Sequence, residues 1–224
     1  MSGKDIPATP GAGITGQPWP PKDDRKARLR ECAGMMRALW AGETVTMRGH
    51  VMAQSARLYV RPEASPLLIG AAVSAETAGW VGEWADGMIT VAGPRDTLRE
   101  VVEAFRATGG GKPMFLQVPL SFAPSDEEAL AAAMDQWRQA VVAPEKLADL
   151  SSPEAFDRET ADAQPADVVS KVRVSSDIER HIAWLHEDAA MGFDRIYVHN
   201  VARDHQERFI GEFAEHVLPR FRPS

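Results

Sequence analysis

At Ser74 an apolar run, LLIGAAV (Leu67–Val73), passes straight into a helical segment, and Asp86-Gly87 then leads into a second apolar run, MITV (Met88–Val91). That order is a βαβ unit with almost no loop between the first strand and its helix. The first N–H groups of a helix have no partner inside it, and the helix dipole adds positive potential there. Gly70, Ala71 and Ala72 stand where the strand delivers the chain to the helix, so a phosphate has room to approach the backbone. An ordinary core unit, with small residues for tight packing, explains the same pattern.

A second candidate is His199, at the end of the apolar run DRIYVHNV (Asp194–Val201). An imidazole there needs only a cleft and a tunable pKa to act as an acid or base. A half-buried histidine bonded to backbone fits equally well, and Asn200 beside it shares both readings. Gln117, on a third strand MFLQVPLSFA, reads first as a polar residue satisfied by its neighbours. His181 and His186 lie five apart, which is not a shared-face spacing, so no metal pair is expected. His205 and His216 read as surface residues. The Gly109-Gly110-Gly111 run follows a helix and precedes a strand, the wrong order for a phosphate loop, so it is a C-cap and turn. No Ser-His-Asp pattern, Walker loop or paired-carboxylate motif is present.

These residues need elements to hold them. A first helix is predicted over Asp24–Ala41, striped by Leu29, Cys32, Ala33, Met36 and Leu39, with Gly42 at its end. TVTMRGHVMA and ARLYV predict a small hairpin-like excursion. After the opening βαβ unit, Pro94–Ala107 is helical through Leu98, Val101, Val102 and Phe105. The strand from Met114 to Ala123 carries Pro119, which suggests a bulge or early end. Ser125 and Glu128 make a capping box for a helix reaching Val142, Ser152-Pro153-Glu154 starts another, and Ser176 and Glu179 make a second capping box. Trp40, Trp137 and Trp184 fall on apolar helix stripes and read as core, whereas Trp80 and Trp84 read as packing outward. Strands alternate with helices four times, which means a parallel sheet with right-handed crossovers. Four βα units are half of a (β/α)8 barrel. Residues 1–21, rich in Pro, Gly and Thr, read as a flexible lead, and residues 22–224 as one partial-barrel domain.

The net charge of −7 argues against a nucleic-acid or anionic-membrane binder. The single cysteine, Cys32, excludes an internal disulfide and reads as an inert core thiol. No apolar stretch is long enough to cross a bilayer, and Met1–Gly13 lacks the apolar core of a signal peptide, so a cytoplasmic location is expected.

The segments RLRECAGMMRALWAGETVTMRG, ARLYVRPEASPLLIGAAVSAETAGWVGEWADGMITV and DHQERFIGEFAEHVLPRF, in this order, resemble the bacterial luciferase-like flavin oxidoreductases. The likeness is greatest to the branch of the deazaflavin-dependent glucose-6-phosphate dehydrogenases and their FMN-using relatives, and it runs from Ile14 to Pro219. It implies a TIM-barrel fold and a small-molecule substrate oxidised or reduced through a flavin held at the C-terminal ends of the strands. Ala72, Val73 and Ser74 match the family's stretch at the cofactor phosphate, and Val91, Ala92 and Gly93 match the loop bordering the cofactor. Gln117 would then face the flavin ring edge, and a homodimer is compatible with the family.

The departures matter as much. The substrate-phosphate cations of the sugar-phosphate dehydrogenases are missing: Pro94 follows Gly93, and Leu147 and Ala148 stand in place of Lys-His. Lys171 stands near the place of an arginine and keeps charge without the bidentate fork. Glucose 6-phosphate is therefore not the expected substrate. FMN is the expected cofactor, with a deazaflavin coenzyme the alternative, because a longer acidic tail would require cations that this part shows sparingly. The family's barrel carries four βα units ahead of the segment matching Gly16–Pro20. The chain therefore resembles a C-terminal half-barrel, N-terminally truncated, with the enzyme activity impaired. A non-catalytic half-barrel that associates with itself or another half-barrel is the alternative.

Overall fold

The structure, a computed structural model, describes residues 20–143, 146, 150 and 152–221. The expected flexible lead, apart from Pro20 and Pro21, lies outside the described residues, as do Leu147 and Ala148. In chain order the elements are α1 (Lys22–Trp40), β1 (Val45–Arg48), β2 (Met52–Ala56), β3 (Ile69–Ala71), α2 (Ala75–Trp84), β4 (Gly87–Val91), α3 (Arg95–Gly109) and β5 (Met114–Ser121). They continue as α4 (Asp126–Trp137), α5 (Pro153–Glu159), α6 (Pro165–Val169), β6 (Arg173–Val174), α7 (Ile178–Ala189), β7 (Arg195–Asn200) and α8 (Gln206–Glu212). A π turn over Phe213–Val217 extends α8. The chain divides into two compact units, Met1–Leu67 with Val142–Arg158 and Leu68–Val141 with Glu159–Ser224.

In the first unit α1 starts with Asp23 and Asp24 in its first turn, where carboxylates suit the helix dipole. It ends where Gly42 takes a φ of 88°. β1 and β2 form the expected hairpin, antiparallel and irregular between Val45 and Met47. Glu31 ties the helix to it by accepting from the Val51 N–H at 3.0 Å. Cys32 is half-buried rather than in a core.

In the second unit β3, β4, β5 and β6 pair in that order, and β7 pairs with β5, all parallel. The two-residue β6 is a fifth strand beyond the four expected. β5 runs through Pro119 without a bulge. β4 pairs with β5 as far as Gln117 and β6 pairs from Leu120, so the residue without an N–H falls between the two partners.

Met88, Met114, Leu116 and Val118 are fully buried on one face of this sheet, where α2, α3, α7 and α8 supply Val81, Phe105, Leu185 and Phe209 to one core. Trp80 and Trp84, expected to pack outward, lie partly buried against that core, with rings 5.3 Å apart. These four helices thus cover the same face. On the opposite face Ile89, Phe115 and Gln117 are half-buried, while Val91 and Tyr197 are 41% and 47% exposed. A smaller cluster of Ala133, Val168, Val172 and Val201, with Trp137 and Met134 against it, forms beside the C-terminal ends of β5 and β7.

Close approach explains two glycines. A Cβ on Gly70 would lie 2.4 Å from Val81 Cγ1, and one on Gly82 would lie 2.7 Å from the Gly109 nitrogen, where α2 meets α3. Gly110, at φ 59°, closes the turn expected of the triple-glycine run. There one guanidinium acts as a clamp: Arg106 donates to the Gly110, Lys112 and Gly192 carbonyls at 2.8, 2.7 and 3.2 Å.

Ser125 caps α4 as expected, accepting from the Glu128 N–H at 3.2 Å, and Ser152 accepts from the Ala155 N–H at the start of α5. The capping box expected of Ser176 and Glu179 is corrected: Asp177 is the N-cap of α7 and accepts from the Glu179 N–H at 2.9 Å. The Asp126 carboxylate takes Ser176 instead, accepting from its N–H at 2.6 Å and its hydroxyl at 2.9 Å.

Candidate functional site

The C-terminal ends of β3 and β4 deliver the chain to the N-termini of α2 and α3. Ser74, extended at φ −136°, caps α2: its Oγ accepts from the Thr77 N–H at 3.4 Å and donates to Thr77 Oγ1 at 3.0 Å. Two of the six residues expected to meet the cofactor, one from the phosphate stretch and one from the bordering loop, are committed to the sheet through their amides. The Ala72 N–H donates to Ile89 O at 3.0 Å and the Ala92 N–H to Gln117 O at 2.8 Å. Val73, Ser74 and Gly93 are exposed, and none of their N–H groups donates a hydrogen bond among the described residues. Val91 is also exposed there, with its side chain on the open face of the sheet.

The small residues of this stretch separate into two kinds. Gly70 is accounted for by Val81, so its smallness belongs to packing. Gly93 is different: a Cβ there would meet nothing within 4 Å, and its φ is not in the left-handed region. Neither packing nor backbone conformation within the described residues requires glycine at that position. What glycine leaves there is an uncovered backbone beside the start of α3. The nearby cation Arg95 is paired with Glu187 at 2.7 Å, both half-exposed.

His199 is exposed at the end of β7 and meets the edge of Trp137, ring centroids 5.0 Å apart. Asn200 is buried and acts as a staple: its Oδ1 accepts from the Phe122 N–H at 2.9 Å and the Ala202 N–H at 3.3 Å, and its Nδ2 donates to Phe122 O at 3.2 Å. That commits both acceptor positions of Oδ1 and one of the two Nδ2 hydrogens to the backbone. Gln117 lies on the open face, in register with Val91 and Tyr197. Lys171 is exposed just beyond α6. Its neighbour Arg173 makes the forked pair, donating to Asp188 at 2.6 and 2.8 Å.

Sequence reasoning missed His181, which set aside as a metal ligand is otherwise the best-connected histidine of the chain. It is buried to 1% exposure, its Nε2 lies 2.9 Å from Ser175 O, and Phe122, Trp184 and Phe213 surround the ring. Burial lowers its pKa below the ordinary histidine value, and the Arg173 and Arg180 charges act the same way against the Ser175 carbonyl. Across the same loop the Ser176 N–H and hydroxyl hold the Asp126 carboxyl below its usual range. The signal for His181 was present: it lies three residues after Ile178 and four before Leu185, on the apolar stripe. No cluster of three or more His, Cys, Asp or Glu suited to a metal occurs among the described residues, and no helix there is long and apolar enough to cross a membrane.

A parallel sheet covered on one face by its crossover helices, with helix N-termini gathered at the strand ends, defines an α/β class with its ligand-ready edge at the C-terminal ends of the strands. The sequence profile of the luciferase-like monooxygenases matches residues 6–195, and the chain belongs to that family. The F420-dependent glucose-6-phosphate dehydrogenase of Beutenbergia cavernae is 31% identical over 218 residues, covering 92% of this chain and 64% of that protein. The same-named protein of Nakamurella multipartita is also 31% identical, over 92% of this chain and 63% of its own length. The chain thus spans a little under two thirds of the length of these relatives. Among solved structures, an F420-dependent secondary alcohol dehydrogenase in complex with an F420-acetone adduct superposes at a TM-score of 0.81 and 21% identity, over 95% of this chain and 68% of that one. A riboflavin lyase with modified FMN superposes at 0.63 and 17% identity, over 92% and 59%. These likenesses establish the fold, an α/β arrangement around a parallel sheet.

Proposed function

We propose that this chain forms the cofactor-phosphate side of a flavin-dependent luciferase-like oxidoreductase. In this reading residues 22–224 are a partial TIM-barrel domain, and residues 68–221 supply four of the βα units of a (β/α)8 barrel. Val73, Ser74 and Gly93 present backbone N–H groups to the phosphate, while Ala72, Val91 and Ala92 hold those groups in place from the strand ends. His199 is the candidate acid or base, and Lys171 a candidate contact for a small-molecule substrate. Electron or hydride transfer would be the chemistry the cofactor supplies, with the chain contributing position and electrostatics. FMN is the cofactor preferred, with an F420-type deazaflavin the alternative. A single phosphate can be met by backbone donors, whereas a longer acidic tail calls for cations, and Arg95 is already paired with Glu187. The relatives named for F420 are what keep the deazaflavin in play.

The observation that carries this reading is Gly93, an open glycine at the start of α3 that no packing within the described residues requires. Fluorescence titration of the purified chain with FMN and with F420 tests it, using Gly93→Val as a variant whose side chain has space in the fold. Binding of one of the two, weakened at least about 10-fold by Gly93→Val while the fold is retained, is the expected result. Equal binding by chain and variant, or binding of neither coenzyme, overturns it. Turnover with a reduced cofactor is expected to be far below that of full-length relatives, and parity with them would contradict the partial-barrel reading.

A second reading, association as a non-catalytic half-barrel, rests on a different observation. The face of the sheet opposite the helices leaves Val91 and Tyr197 exposed.

A further inference from the structure

We propose that two copies of this chain close edge to edge into one eight-stranded parallel barrel, β7 of each copy pairing with β3 of the other. The proposal rests on the reading of residues 68–221 as four βα units, and not on the flavin.

Among the described residues β3 pairs with β4 alone and β7 with β5 alone, and the two-residue β6 also has β5 as its single partner. Exposed edges template pairing with another strand, and parallel sheets in particular are found buried on both faces. β3 and β7 run in the same direction, so a two-fold operation sets β7 against β3 twice, in parallel, and leaves only the two-residue β6 of each copy with a free side. Two sets of the four longer strands make eight, the number at which side chains just fill a parallel barrel's interior.

The apolar surface lies where such closure would cover it. A groove of about 580 Å³ runs beside β7, floored by Phe209, Phe213 and Val217 and rimmed by Ile210 and Leu218, which are 64% and 52% exposed. Tyr197 lines the same groove and stands in register with Gln117 on the open face. Val73, 71% exposed at the end of β3, marks the other edge. A second copy is the occupant that covers both edges at once, because each copy carries the strand the other lacks. Closure would also place His199 of the partner subunit, at the end of β7, beside Val73 and Ser74, so each anion seat would be completed across the junction.

The test is sedimentation equilibrium of the 224-residue chain combined with amide hydrogen exchange across a concentration series. The expected result is a dimer in which the amides of Arg195–Asn200 and Ile69–Ala71 become protected with assembly, while those of β4 and β5 are protected throughout. Ile210→Asp with Leu218→Asp, both on the exposed rim, should raise the dimer dissociation constant at least 10-fold without altering the β4 and β5 protection. A monomer at every concentration, open-ended oligomers, or a dimer whose β7 and β3 amides exchange as freely as in the monomer overturns the proposal. Protection of the β7 edge already in the monomer also overturns it, since the edge would then be covered from within one chain. Loss of protection in β4 and β5 at all concentrations would instead defeat the four-unit reading itself.

Discussion

The two faces of β5 differ as sharply as a finished wall and an unfinished one. Towards the helices Met114, Leu116 and Val118 have no exposure at all, and the polar groups beneath those helices are matched: Asp188 with Arg173, His181 with the Ser175 carbonyl. Towards the other side Phe115 and Gln117 are half-covered, and their register partner Tyr197 is nearly half exposed. The lesson is that the helix-covered face completes its packing within the sheet and its helices, whereas the opposite face keeps Phe115, Gln117 and Tyr197 partly uncovered.

The contrast can be broken or sharpened by substitution. On the finished side, Asp188→Ala should have the largest effect, because it leaves the largely buried Arg173 guanidinium uncompensated, at a cost of about 3–5 kcal/mol. Leu116→Ala follows, at about 2–5 kcal/mol by lost burial and the cavity left behind. Urea denaturation measures both. On the open side Phe115→Ala should cost well below the about 3–5 kcal/mol usual for a fully buried phenylalanine. A full core-sized loss there would show that the inner face is already covered.

The smallest effect expected is one of pH. His181 has a folded pKa below its unfolded value, so the unfolded state binds more protons as the pH falls. Its contribution to stability is therefore complete above the ordinary histidine pKa of about 6.5 and is lost as the pH drops from there towards the folded value. Denaturation midpoints between pH 7.5 and 5 should fall more in the parent chain than in His181→Gln. Equal slopes would remove His181 as the cause.

Much of this was legible from residue order. The stripe Leu98, Val101, Val102 and Phe105 gave α3, the strand–Ser74–helix order gave the candidate seat, and the triple glycine was a turn because of its neighbours. Local rules failed where distant groups intervened. Ser176 is taken by Asp126, fifty residues away in sequence, and Asp177 caps α7 in its place. Pro119 was absorbed into a strand because of where two other strands stop and start. Trp80 and Trp84, one turn apart on α2, read as packing outward against a neighbouring helix or subunit, because nothing local shows that the sheet and its helices bring them against the core. At the candidate site, sequence singled out the two strand-to-helix loops but could not separate amides held by the sheet, Ala72 and Ala92, from those left over, Val73, Ser74 and Gly93. Register decides that, and register is a property of two strands.

The Arg106 clamp has a consequence for how this chain can change over generations. It gathers three turn carbonyls at the end of the sheet opposite Ser74 and Gly93, so the tolerance of the fold is unevenly distributed. Insertions and exchanges at the Ser74 end leave the clamp untouched, so that end can vary while the chain still folds. A change at the clamped end loosens three turns at once. One guanidinium thereby helps decide where the sheet tolerates variation.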